Sequence, residues 1–213
     1  IRSHGVAKSV KEKIAENKNI RIVDATCPFV KKIHETVEKE SGENKDIIII
    51  GDPKHPEVLG ITGYVKTRAY VINSREEAEE FSADKDKELC LVSQTTYNLN
   101  KFKDLVEILS KKGYSIYVVN TVCSATRERQ EEAVKLAGKV DAMIVIGGRH
   151  SSNTKKLYEL CAGECNNTVL IQTLDDLDLD LTRSFPCVGI TAGASTPKFI
   201  IEEVQNNVRG TEF

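Results

Sequence analysis

Two cysteines in this sequence occupy positions where a thiolate forms readily. Cys27 and Cys123 each lie at the predicted start of a helix that follows a β-strand. A helix N-terminus lowers the pKa of a thiol and favours the thiolate, which is the form that binds metal ions. Either cysteine alone is better explained as a small buried residue at a tight turn. Because the same placement occurs twice, metal binding becomes an equally good interpretation. Three such thiolates could hold an iron–sulfur cluster and leave one iron open for a substrate.

A histidine and a glutamate follow one predicted buried strand. In His55-Pro56-Glu57, the imidazole and the carboxyl group can supply an anion contact and a proton donor. A solvated loop is the alternative. Of the other histidines, His34 is expected on the solvated face of a helix. His150 is a weaker candidate beside the polar run described next.

Hydroxyl and amide side chains gather at another predicted helix start. Ser151, Ser152 and Asn153 come directly after a buried strand, and free backbone N–H groups with such side chains make a site for a phosphate-sized anion. An ordinary N-cap is the alternative, since serine and asparagine commonly cap helices. Thr95 and Ser195 place hydroxyl groups at the same predicted cavity. Together these side chains indicate a small anionic substrate.

The remaining cysteines carry a weaker signal. Cys90 and Cys187 lie inside apolar predicted strands, where side-chain packing is the expected role. Cys161 and Cys165 stand close together near a helix end, and a surface or packing role is expected for them as well. A structural zinc site there is the less favoured alternative, because no histidine or further cysteine stands nearby in the sequence.

The elements that must position these side chains alternate between strands and helices. The predicted strands are Ile20–Ala25, Asp46–Gly51, Arg68–Asn73, Leu89–Gln94, Tyr114–Asn120, Asp141–Gly147, Thr168–Gln172 and Cys187–Thr191. The predicted helices are Val6–Glu16, Phe29–Glu40, Arg75–Phe81, Asn100–Lys112, Ala125–Gly138, Asn153–Cys161 and Pro197–Asn207. Runs such as Ile47-Ile48-Ile49-Ile50 have no polar face, which is typical of parallel strands covered by helices on both sides. The sequence therefore predicts an α/β fold whose ligands bind at the carboxyl ends of the strands.

The chain also repeats itself. The stretch RIVDATCPFV is matched by IYVVNTVCSAT, and the interval from Cys27 to Gly51 equals the interval from Cys123 to Gly147. Regular intervals of this kind indicate repeated structural units. The opening residues IRSHGV correspond to the end of a repeat. Residues 1–26 are therefore expected to be the closing half of a further copy.

Composition argues against several classes of protein. The 30 Lys and Arg residues against 32 Asp and Glu leave a net charge of −2, without the basic excess of nucleic-acid-binding domains. No apolar run approaches the roughly 20 residues that span a bilayer. No export signal precedes the first predicted strand, so the six cysteines are interpreted as reduced thiols. A cytoplasmic protein without nucleic-acid or membrane partners is expected.

Seven short stretches, in this order and spacing, resemble the 4-hydroxy-3-methylbut-2-enyl diphosphate reductase (LytB) family. They are RSHGV, DATCPFV, HPEVLG, VSQTT, NTVCSATRERQ, SSNT and GITAGAS. The resemblance covers nearly the whole chain. It implies an oxidoreductase at the last step of the non-mevalonate isoprenoid pathway, which removes the allylic hydroxyl of its diphosphate substrate to give isopentenyl and dimethylallyl diphosphates. It also implies α/β lobes in a trefoil around a central 4Fe-4S cluster, with ferredoxin or flavodoxin as electron donor.

The resemblance implies roles for individual residues. Cys27 and Cys123 match two of the three cluster ligands, and Glu57 matches the residue that relays the proton, helped by Thr95. The residues matching diphosphate contacts are His4, His55, Thr95, Ser151, Ser152, Asn153 and Ser195.

Two departures from the family pattern bear on these expectations. The N-terminal stretch that carries the first cluster cysteine is not in this chain, so we expect an N-terminally shortened form that is inactive by itself. Asp52 stands where the family often has a histidine, a position that is not one of the core ligands.

The expected lobes are residues 28–119 and 120–195, with 1–27 and 196–213 as a remnant of the first lobe. A cluster-free α/β module that binds phosphate is the alternative function.

Overall fold

The structure is a computed structural model that describes residues 1–178 and 184–210. The helices are α1 (Lys8–Ala15), α2 (Pro28–Gly42), α3 (Pro56–Thr62), α4 (Arg75–Glu80), α5 (Leu99–Ser110), α6 (Ser124–Ala137), α7 (Ser152–Glu164) and α8 (Lys198–Arg209), with a 3-10 turn at Leu174–Asp176. The strands are β1 (Asp46–Ile50), β2 (Ala69–Ile72), β3 (Leu89–Ser93), β4 (Ile116–Val118), β5 (Ala142–Ile146), β6 (Thr168–Ile171) and β7 (Val188–Ala192). The chain divides into two compact units, Ile1–Cys123 and Ser124–Phe213.

The first unit is built on a parallel sheet in the order β2-β1-β3-β4. All five residues of β1 are buried, because both faces of the sheet are covered. Ile47 and Ile49 pack with α2 and α3 on one face, whereas Ile48 and Ile50 pack with α4 and α5 on the other. This confirms the parallel, two-sided burial that the run of isoleucines predicts.

The second unit repeats this arrangement with three parallel strands in the order β6-β5-β7. Met143 and Val145 on the central strand pack against α6 and α7. Ile144 and Ile146 pack on the opposite face, where Val204 of α8 is fully buried. In both units the predicted α/β fold is confirmed, and the carboxyl end of the central strand leads directly to a predicted site.

One predicted strand is absent. Residues 20–25 are extended but form no β-ladder among the described residues. Their links to the chain start are a bond from the Ile1 amino group to the Val23 carbonyl oxygen at 2.6 Å and one from the Ala25 N–H to the Ile1 carbonyl oxygen. Ile20 and Val23 are 50% and 68% exposed, so the segment is apolar without being covered. A strand needs a neighbour that pairs over several residues, and residues 20–25 have none in the described ranges.

The other predicted elements are present with shifted ends, and one helix was not predicted. Helix α3 begins at Pro56, and its N-cap is the unusual residue His55. No helix in the described ranges is long and apolar enough to cross a membrane. The lobe boundaries at 28–119 and 120–195 stay a prediction, as does the trefoil arrangement. Residues 179–183 and 211–213 of the expected lobes lie outside the described residues.

Candidate active site and anion site

The turn between β1 and α3 holds His55 at a helix start. The His55 Nδ1 atom accepts a hydrogen bond from the Glu57 backbone N–H at 3.1 Å. Because Nδ1 acts as the acceptor, the neutral ring carries its proton on Nε2 and can donate from there. Gly51 is required at the end of the strand, since a Cβ atom there would lie 2.7 Å from Val58. The close packing fixes α3 against β1, and the bond from the Glu57 N–H orients the His55 ring at the start of α3.

Glu57 lies in the first turn of α3 and is almost completely buried, at 1% exposure. Its carboxyl group accepts two hydrogen bonds from Thr95, one from the backbone N–H at 2.5 Å and one from the hydroxyl at 2.8 Å. Thr95 follows β3, the neighbour of β1, so the two residues meet at the carboxyl ends of adjacent parallel strands. Burial raises the pKa of Glu57, although the two bonds from Thr95 act in the opposite direction. The site therefore holds a carboxyl group that binds a proton more readily than a solvated one.

His4 lies beside His55. Their ring centroids are 5.2 Å apart and the rings are nearly perpendicular. Burial lowers the pKa of His55, and the neighbouring His4 lowers it further. The structure thus brings His4, His55, Glu57 and Thr95 together within the first unit, as the sequence predicts for a common site.

Backbone hydrogen bonds link the two predicted cluster ligands, Cys27 and Cys123, to the segments that carry His4 and Thr95. The Cys27 N–H donates to the Ser3 carbonyl oxygen in the His4 loop, and the Cys123 N–H donates to the Thr95 carbonyl oxygen, both at 3.0 Å. Each cysteine stands directly before a helix, α2 or α6, and each is a half-buried free thiol. Free, partly accessible thiols at helix starts fit the ligands of an iron–sulfur cluster. Within residues 1–178 and 184–210, no three His, Cys, Asp or Glu side chains lie together as a complete ligand set.

The residues predicted to form an anion site lie at the N-terminus of α7 in the second unit. The Ser151 hydroxyl is the N-cap and accepts a bond from the Thr154 N–H at 3.3 Å. Asn153 is 5% exposed, yet neither its amide nitrogen nor its amide oxygen has a hydrogen-bond partner in the described chain. A buried amide normally finds a partner, so a polar ligand that supplies one would explain its retention. This observation favours an anion site over a plain helix cap.

Ser195 lies on a turn fastened to the same edge of the second sheet. The Gly193 N–H and the Thr196 hydroxyl both donate to the Ile146 carbonyl oxygen, at 2.8 and 2.9 Å. Gly193 packs against α7 so closely that a Cβ atom would lie 2.3 Å from the Thr154 hydroxyl oxygen. Ser195 itself is exposed. The turn that carries it is therefore set directly against the first residues of α7.

Comparisons with known proteins agree with the motifs. The family model described as "LytB protein" matches residues 1–209. The chain belongs to the LytB family. The protein named 4-hydroxy-3-methylbut-2-enyl diphosphate reductase of Clostridioides difficile is 49% identical over 204 residues, which are 96% of this chain and 72% of that protein. Its counterpart from Caldanaerobacter subterraneus is 44% identical over 209 residues, which are 98% of this chain and again 72% of that protein.

Solved structures of LytB reductases share the fold. The E-1-hydroxy-2-methyl-but-2-enyl-4-diphosphate reductase of Plasmodium falciparum superposes with a TM-score of 0.92 at 31% identity, over 99% of this chain and 67% of that one. A second structure, described as the terminal enzyme of the non-mevalonate pathway, gives a TM-score of 0.65 at 38% identity, over 98% of this chain and 74% of that one. The predicted family is confirmed.

The cysteines outside the LytB motifs divide into buried and exposed. Cys90 is buried in β3 as predicted, and burial raises the pKa of its thiol to about 12. Cys161 and Cys165 pack in the core of the second unit, where burial raises the pKa of Cys161 to about 11. The packing prediction is wrong for Cys187, which precedes β7 and is exposed. Its position just outside the strand end leaves its side chain uncovered.

One histidine prediction is also wrong. His34 is buried at 5% exposure, because it continues the apolar stripe of α2 formed by Val30, Ile33 and Val37. The spacing of those residues was the signal that could have placed it. His150, the weaker candidate beside the polar run, is exposed. Thr154, the last residue of the SSNT stretch, is fully buried between two glycine turns, and the sequence analysis predicted no role for it.

Proposed function

We propose that this chain carries the reductase chemistry of the LytB family. In that reaction the allylic C–O bond of (E)-4-hydroxy-3-methylbut-2-enyl diphosphate breaks with the uptake of two electrons and two protons. One proton leaves with the hydroxyl group as water, and the two electrons and the other proton reach the allylic carbon skeleton. The products are isopentenyl and dimethylallyl diphosphates. The observation that carries the proposal is the buried Glu57 carboxyl group, held by Thr95 beside His55, in a chain of this family.

Glu57 supplies the proton that turns a poor leaving group into water. Hydroxide leaves with difficulty, so a proton donor at the breaking C–O bond lowers the barrier. Burial raises the pKa of Glu57 and keeps the proton available nearer neutral pH than in a solvated glutamate. Thr95 donates one hydrogen bond to each carboxyl oxygen atom of Glu57, and these two bonds limit the rotation of the carboxyl group.

The diphosphate is bound by nitrogen and oxygen donors. In the first unit, His4 and His55 present imidazole rings, and His55 has Nε2–H free to donate because Nδ1 is occupied. Within the second unit, the hydroxyls and the amide of Ser151, Ser152, Asn153 and Ser195 are proposed as the anion site of that unit. The unpartnered Asn153 amide and the N-terminal dipole of α7 support this assignment.

Cys27 and Cys123 are proposed as two ligands of a 4Fe-4S cluster. When bound, the cluster supplies the two electrons of the reduction. The chain's own contribution is to present two free thiols from segments tied to the His4 loop and to Thr95. Ferredoxin or flavodoxin is proposed as the electron donor, and the cytoplasm as the location.

Metal content and turnover test the proposal. The full-length protein, with the N-terminal stretch of the family pattern, should after purification and reconstitution without oxygen contain iron and acid-labile sulfide, absorb in the visible range and consume the substrate with a reduced viologen dye. A protein that binds inorganic pyrophosphate but holds no iron and oxidises no dye would instead support the cluster-free phosphate-binding module.

The substitution Asn153→Asp tests the anion site. It places a carboxylate there, so pyrophosphate affinity should fall at least about tenfold. Unchanged affinity would contradict the assignment of Asn153.

A further inference from the structure

His34 is a buried imidazole that the proposed reaction does not use. It lies on α2 and stacks on Tyr64, with ring centroids 4.2 Å apart and 14° between the ring planes. Its Nε2 atom has no hydrogen-bond partner in the described chain. Burial lowers the pKa of His34 to about 4, so the ring is neutral at physiological pH. Buried polar atoms normally have a hydrogen-bond partner. The contacts of the His34 ring must therefore explain why a histidine is buried here.

The His4 loop rests on this ring. Gly5 has a positive φ of 71°, and a Cβ atom there would lie 2.6 Å from the His34 Cε1 atom. From the other side, a Cβ atom on Gly60 of α3 would lie 3.5 Å from His34 Nε2 and 3.5 Å from the His4 carbonyl oxygen. The Cε1–Nε2 edge of His34 therefore lies between the His4 loop and α3.

His55 is the N-cap of α3, the helix on the other side of the His34 ring. At Gly63, a Cβ atom would lie 2.3 Å from the Cβ of Ala7, so the segment that follows His4 passes directly over α3. The loop is also bonded to Cys27 through Ser3. His4 itself is exposed, and its side chain has no hydrogen-bond partner within residues 1–178 and 184–210. The position of its ring relative to His55 therefore depends on the support beneath the loop.

We infer that His34 is a positioning residue that holds His4 at the distance from His55 needed to bind one diphosphate. The inference rests on the proposed function, because it assumes that His4 contacts the substrate. Removing the Cε1–Nε2 edge leaves a gap under Gly5 into which the loop settles, and His4 then moves away from His55. Glu57 and Thr95 are held by their own bonds and stay in place.

The test compares four variants of the cluster-loaded protein. His34→Ala removes the whole ring. His34→Asn removes chiefly the edge that meets Gly5, and it keeps the test possible if the alanine variant does not fold. Val37→Ala, buried one turn further along α2, is the control for lost packing. His4→Ala removes the contact itself. The measurements are KM and kcat for the substrate, the calorimetric Kd for inorganic pyrophosphate and Tm.

Both His34 variants should raise KM and the pyrophosphate Kd about tenfold, with kcat within about twofold, because the lost contact is one of binding. Val37→Ala should lower Tm without changing KM. Wild-type KM and Kd in both His34 variants, while His4→Ala weakens binding, would overturn this inference alone. An equal rise of KM in Val37→Ala would also overturn it. If His4→Ala has no effect, the assigned role of His4 fails and the inference fails with it.

Discussion

The substitution Glu57→Gln tests the proton-donor role most directly. Glutamine has nearly the same shape, and its amide oxygen can keep the bond from the Thr95 N–H while its amide nitrogen donates to the Thr95 hydroxyl. The amide cannot deliver a proton. General acid catalysis contributes about 100- to 10,000-fold to a rate, so kcat should fall by that factor. This fall corresponds to a rise of about 3–5 kcal/mol in the activation barrier. KM should stay within about threefold.

The assay is anaerobic turnover with a reduced viologen dye, measured at equal iron content. Glu80→Gln, an exposed glutamate at the end of α4, is the matched control and should keep the wild-type kcat. If Glu57→Gln turns over at a rate within a few-fold of wild type at the same iron content, Glu57 does not supply the proton, and the reasoning from its burial is wrong.

The same variant has a distinct effect on stability. Because folding raises the pKa of Glu57, its favourable contribution is complete below the unfolded-state pKa and is lost as the pH rises through the folded-state value. Glutamine has no such dependence. Denaturant unfolding from about pH 4 to pH 8 should therefore show the variant gaining stability relative to wild type as the pH rises. A variant that loses stability relative to wild type as the pH rises would contradict the direction of the shift.

Three further changes have defined outcomes. Thr95→Val removes the hydroxyl bond that lowers the pKa of Glu57, so the alkaline limb of the kcat–pH profile should move to higher pH; a shift to lower pH would exclude this role. Gly193→Ala forces a Cβ atom against Thr154 and should cost about 1–3 kcal/mol in denaturant unfolding, and adding Thr154→Ala should recover part of that loss. Cys123→Ser should lower iron content and abolish turnover, and wild-type iron content would remove this residue from the ligand set.

Local sequence patterns were sufficient for the fold class and the family. Apolar runs such as β1 indicate burial on both sides, and the order of the motifs identifies a LytB chain because such motifs combine many specific residues. They were not sufficient for the segment 20–25. Its apolar residues match a strand, yet pairing depends on a neighbour that the local pattern does not describe.

The sequence by itself therefore determined most of the elements, their order and the residue types available for chemistry, because periodicity and motif spacing are properties of neighbouring residues. The tertiary structure decided which side chains are removed from water. It brings Thr95 onto Glu57 across adjacent parallel strands, places His34 beneath the His4 loop and leaves Cys187 exposed. Burial and long-range contacts set the pKa and the orientation of a functional group, and both depend on residues distant in the sequence.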